Sequence, residues 1–87
     1  MYCIIVYDVK VKRVQKLCKF LRQYLFWTQN SVFEGELSEA EIFKIKIEIE
    51  KLINKDEDSV IIFTFPRPKW INREIIGKEK GSNSQFL

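Results

Sequence analysis

The sequence predicts an α+β domain in which two helices cover one face of an antiparallel sheet, and three observations predict it. Two runs, Tyr2-Cys3-Ile4-Ile5-Val6-Tyr7 and Ser59 to Phe65, are apolar and β-branched enough to be buried strands. Two longer stretches, 11–25 and 38–53, carry apolar residues at three- and four-residue steps. Between these, Phe26 to Leu37 has no helical period and is rich in strand formers. The order strand, helix, strand, strand, helix, strand is a split βαβ arrangement, the ferredoxin-like βαββαβ sandwich. Short, right-handed connections leave few alternatives.

Each element has its own justification. The first strand runs out at Asp8, the only carboxylate in the first 33 residues. In the first helix Val14, Leu17, Cys18, Leu21, Tyr24 and Leu25 form a stripe for burial, and Lys12, Lys16 and Lys19 fall on another face. Phe26 to Leu37 reads as two short strands or one sharply bent strand, with Asn30-Ser31 and Gly35 as turn or bulge points. Ser38 to Ile53 fits both periods. Its Ser38/Glu41 capping box and its length decide for helix. Asn54 to Asp58 is a polar loop whose Asp56-Glu57-Asp58 cluster lacks the spacing and glycine of a calcium loop and reads as solvated. Pro66 and Pro68 end the last strand. Residues 1–66 are thus the domain. Residues 67–77, with Trp70 to Ile76 too apolar to leave in water, are expected to add an edge strand to this sheet or to a second copy. Residues 78–87 read as a flexible tail.

Composition bounds the function. A chain of 87 residues buries only about 60% of its unfolded surface, so oligomerisation is expected. An apolar content of 46% with twelve aromatics nevertheless supports a packed core. Cys3 and Cys18 lack metal-ligand spacing and read as reduced core residues, which suits the cytoplasm. Nothing approaches membrane-spanning length. Histidine is absent, which excludes Ser-His and Cys-His nucleophile pairs, histidine zinc sites and histidine acid–base catalysis. If the protein is an enzyme, carboxylates with a hard cation and water are its natural apparatus.

The net charge of +3 conceals a segregated pattern. Lys10, Lys12, Arg13, Lys16, Lys19 and Arg22 follow Asp8 with no acid among them, whereas residues 31–58 carry nine acids against four lysines. Like charges at helical spacing repel by a few tenths of a kcal/mol per pair, and an anionic partner explains why that is tolerated. A solvated helix face is the alternative. Asp8 likewise has two readings: a metal-assisted phosphodiester or phosphate-binding site, or an ordinary helix N-cap.

Tyr7-Asp8-Val9 closing the first strand, the basic helix, Gln29-Asn30-Ser31-Val32-Phe33-Glu34-Gly35-Glu36-Leu37 and Asp58-Ser59-Val60-Ile61-Ile62-Phe63 together resemble the CRISPR-associated protein two family. The resemblance covers nearly the whole chain to Pro66. It implies a symmetric homodimer with a C-terminal strand packed on the partner, acting in CRISPR spacer acquisition beside an integrase on duplex DNA. It further implies a Mg²⁺-dependent endonuclease (Mn²⁺ is an alternative ion) on RNA, including single strands, or DNA, with Asp8 as metal ligand and catalytic residue opposite the second subunit's copy. Ser31, Phe33, Trp70, Ile71 and Ile75 are then candidates for the dimer interface. Two departures stand out: Lys10-Val11-Lys12-Arg13 replaces the consecutive arginines usual in the family, and Trp27-Thr28 stands where a basic residue is common. A toxin-type ribonuclease of the VapD kind is an alternative on the same fold.

Overall fold

The computed structural model describes residues 1–66 and 73–81. Its elements are β1 (Tyr2–Asp8), α1 (Val11–Leu21), β2 (Phe26–Gln29), β3 (Val32–Glu36), α2 (Glu39–Leu52) and β4 (Ser59–Phe65). The strands form one sheet in the order β2-β3-β1-β4, and every neighbouring pair is antiparallel. This is the expected ferredoxin-like sandwich.

β1 lies in the middle and its alternation organises the layers. Cys3, Ile5 and Tyr7 point into the core beneath the helices, with Phe33 opposite Ile5 on β3 and Ile62 opposite it on β4. Leu17, Cys18 and Leu21 of α1 and Ile42, Ile45 and Ile49 of α2 close the core from above. The other parity, Tyr2, Ile4, Val6 and Asp8, lies on the face the helices leave open.

Several boundaries differ from expectation for physical reasons. Helix α1 ends at Leu21 rather than 25, because residues 22–24 tighten into a turn that carries Leu25 into the core. The segment 26–37 is a hairpin turning at Asn30 and Ser31. Asn30 takes the left-handed backbone (φ 42°) that asparagine tolerates, and its carbonyl accepts from Trp27 Nε1 at 2.9 Å. The bulge falls at Thr28, between the Trp27–Phe33 and Gln29–Val32 pairs, not at Gly35. Gly35 stays in regular β3 register, where a Cβ would come within 3.2 Å of Leu25 Cδ2. The capping box of α2 forms as expected, with Ser38 N donating to Glu41 Oε1 at 2.9 Å and Glu41 N to Ser38 Oγ at 3.1 Å.

β4 is an edge strand rather than a fully buried one. Ile61 and Phe63 alternate outward on the open face and are half exposed, so the continuous apolar run reflects two apolar faces, not two covered ones. Residues 73–81 form no strand. Trp70 and Ile71, expected in the C-terminal strand, lie outside the described residues, as do 82–87 of the expected tail. No helix among the described residues is long and apolar enough to cross a membrane.

This arrangement predicts unequal costs for two phenylalanines. Phe33→Ala should lower the unfolding free energy by about 3–5 kcal/mol. Phe63→Ala in dilute solution should cost less than about 1 kcal/mol. Urea denaturation of the two variants measures the difference.

Candidate nucleic-acid interface and the Asp8 carboxylate

Asp8 and Asp58 end up at the same end of the β1–β4 ladder and have opposite fates. Asp8 closes β1 and pairs across the ladder with Ser59, the first residue of β4. Its side chain is exposed and, among the described residues, has no hydrogen bond or ion pair. The N-cap of α1 is Lys10, with no side-chain cap bond, so the N-cap reading of Asp8 does not hold. An exposed carboxylate with no structural duty is therefore fixed at the rim of the sheet.

Asp58, one residue before Ser59, is the buried counterpart, and here the solvated reading fails. Its carboxylate accepts Lys10 N at 2.9 Å and Asn54 N at 2.8 Å. It also accepts Arg13 Nε at 2.5 Å and Nη2 at 3.0 Å, while Nη2 reaches Glu57 at 2.7 Å. Helix α1 has no acid in its first turn, so Asp58 supplies from another loop the anion that the helix start lacks. The Arg13 guanidinium, foremost, with the two backbone N–H groups, holds the Asp58 carboxyl well below the usual carboxylate range. The same guanidinium lowers Glu57. Sequence reading missed this residue; the signal available was an acid immediately before a strand that pairs with the end of β1.

The cations predicted to meet phosphates separate into three groups. Lys10 and Lys12 sit just past Asp8 at the same rim and are exposed. Lys16 and Lys19 continue from Lys12 along one face of α1, and Arg22 caps its far end, about 15 Å away at 1.5 Å per residue. Arg13 stands apart from the lysines: its Nε and Nη2 are held by Asp58 and Glu57, so it serves the fold whatever else it meets. Phe33 is corrected as well. It is fully buried against Ile5 and 6.1 Å (ring centroids) from Tyr7, so β-strand parity keeps it from any partner. Ser31 lies in the β2–β3 turn, its carbonyl accepting Tyr7 N at 3.0 Å. Ile75 is partly exposed.

The cysteines are inert. Cys3 is 1% exposed and burial pushes its thiol up to about 11; Cys18 lies in the core 3.1 Å from the Tyr7 hydroxyl. No group of three or more acidic or cysteine side chains able to hold a metal ion occurs among the described residues. Asp8 alone fits a hard cation that keeps most of its water, and further donors would have to come from a second copy or from phosphate oxygens.

Comparison with known proteins gives this geometry its context. A family model described as CRISPR associated protein Cas2 matches residues 1–73. The chain is 58% identical over 80 residues to the CRISPR-associated endoribonuclease Cas2 of Methanocaldococcus jannaschii, covering 92% of this chain and 70% of that one. It is 47% identical to a protein of the same name from Dictyoglomus turgidum over the full length of both. A crystal structure titled as cas2 superposes with a TM-score of 0.84 at 45% identity, covering 92% of this chain and 90% of the other. The Streptococcus pyogenes Cas2 structure at pH 6.5 gives 0.78 at 28% identity, covering 88% and 100%.

The Asp58 network predicts an acid-sensitive contribution to stability. Its folded-state pKa is depressed, so its stabilisation is complete above the unfolded value of 3.8 and is lost as pH falls below it. The stability gap between wild type and Asp58→Asn should be largest from pH 5 to 7 and shrink below about pH 4. Urea titrations across that range check it.

Proposed function

Because the chain belongs to the CRISPR-associated protein Cas2 family, we propose that it acts in CRISPR adaptive immunity as a homodimer that holds nucleic acid and hydrolyses its phosphodiester backbone with Mg²⁺ at Asp8. One observation carries the reading: among the described residues Asp8 is exposed and has no hydrogen-bond or ion-pair partner, while nearby Asp58 is fully engaged by the fold. The relatives are named endoribonucleases, which supports RNA as a substrate.

The open face supports the homodimer. Its apolar residues include the half-exposed Ile61 and Phe63, and the two acids of β3 on this face are paired, Glu34 with Arg73 and Glu36 with the N-terminal ammonium. A second copy placed face to face would thus meet no unpaired acid of β3. Two Asp8 carboxylates brought together this way would suit one hard cation. When bound, such an ion polarises the phosphate and lowers the pKa of its water. Lys10 and Lys12 at the same rim would hold the flanking phosphates, and Lys16 and Lys19 would follow the backbone without reading bases.

A second reading shares the dimer and omits the cleavage. In it the protein is a scaffold for spacer acquisition that presents duplex DNA to the integrase. The acid-free row on α1 favours it, because such a row tracks phosphates irrespective of sequence. The family match favours either CRISPR role over a toxin-type ribonuclease.

Incubation with labelled RNA and duplex DNA, with and without Mg²⁺ or Mn²⁺ and beside Asp8→Ala, tests the two. Metal-dependent cleavage abolished in Asp8→Ala is the expected result. Duplex binding without cleavage, equal in both proteins, would overturn the nuclease and leave the scaffold.

A further inference from the structure

Asp8 owes its placement to nothing that its own side chain does. The carboxylate is exposed and, among the described residues, meets no hydrogen-bond or ion-pair partner. An aspartate side chain is one methylene long, so the carboxylate goes where the backbone of Asp8-Val9-Lys10 takes it. That corner is all the chain between the end of β1 and the first turn of α1. Connections of this kind ordinarily move more than the elements they join.

Here both ends of the corner are tied to two consecutive residues. Asp8 is the ladder partner of Ser59, and Lys10 N donates to Asp58 Oδ1 at 2.9 Å. The contacts then close on themselves. Lys10 O accepts Arg13 N at 2.8 Å, and the Arg13 side chain returns to both oxygens of Asp58, Nε at 2.5 Å and Nη2 at 3.0 Å. Asp58 is itself anchored: its N–H donates to Asn54 O at 2.7 Å, and its Oδ2 accepts Asn54 N at 2.8 Å. Its side chain is 0% exposed, so water does not compete for these bonds. On the other side of Asp8, Tyr7 N donates to Ser31 O at 3.0 Å. A buried carboxylate is thus directed at the backbone two residues from Asp8, and the corner cannot shift without breaking the ring.

We propose that Asp58 is a positioning residue for phosphodiester cleavage at Asp8: by fixing the Lys10 backbone and the Arg13 fork, it holds the Asp8 carboxylate in the narrow range that a metal-assisted reaction tolerates. The inference rests on the nuclease reading above. Misplacing a reacting group by about 1 Å lowers turnover on the order of a hundredfold. The lysines at the rim are less demanding, because a long flexible stem lets a point charge follow a phosphate through such a shift. Loss of Asp58 therefore acts on turnover more than on binding, whereas loss of a phosphate contact acts on binding.

The test is steady-state cleavage of labelled RNA with Mg²⁺ or Mn²⁺, with hydrogen exchange on the same proteins. Asp58→Asn keeps the side-chain shape but replaces one acceptor oxygen with a donor. It should lower kcat at least about tenfold, leave KM within about threefold and speed exchange at the Lys10 amide, with β1 still protected. Arg13→Lys, which keeps the charge beside Asp58 and loses the fork, should do the same to a smaller extent. Ile45→Val, which loosens the core away from the corner, should leave kcat within about twofold of wild type. A kcat in both network variants no lower than in Ile45→Val would overturn the proposal and leave the nuclease standing. A raised KM at unchanged kcat would also overturn it, by making the network a support for binding alone. A wild-type chain that cleaves with neither ion would sink the nuclease reading and this proposal together, and Asp58 would serve the fold only.

Discussion

The alternation of β1 is the constraint on which the rest depends. As the central strand it is bonded to β3 on one side and β4 on the other, so its register fixes theirs. One parity gives the core its floor, Cys3, Ile5 and Tyr7; the other gives the open face Tyr2, Ile4, Val6 and Asp8. A slip of one residue would exchange the two sets, burying Asp8 under the helices and stranding Ile5 in water. The cost of that exchange is what holds Asp8 at the rim.

The loops around that rim are fixed by a different force. Asp58 ties the start of α1 to the α2–β4 connection through one arginine and two backbone donors. Because Asp58 precedes Ser59, and Ser59 is the ladder partner of Asp8, this network sets the ground from which Asp8 and Lys10 project. A basic helix start would otherwise work against its own macrodipole. One acid is satisfied from all sides, and Asp8 near it is left exposed.

Much of this was legible in the sequence, and the failures follow a pattern. Local signals worked: the Ser38/Glu41 box marked α2, the stripe of Leu17, Cys18 and Leu21 marked α1, and Asp8 marked the end of β1. What failed needed tertiary partners. Arg13 looked like its lysine neighbours until Asp58, 45 residues away, claimed it. Gly35 looked like a bulge because its close approach to Leu25 is not visible in one dimension. β4 looked buried because apolar residues on an open face read the same as those in a core. That ambiguity is informative, since an exposed apolar face on so small a domain implies something that covers it.

Asp8 lies on that face, so the functional reading requires two copies to bring their Asp8 residues together. Spin labels on Asp8→Cys measure this directly, because the native Cys3 and Cys18 are buried and escape labelling. Packed sheets lie about 10 Å apart, so dipolar spectroscopy should give an intersubunit distance of roughly 25 Å or less. A dimer whose labels are much farther apart would place the interface elsewhere and separate Asp8 from its counterpart.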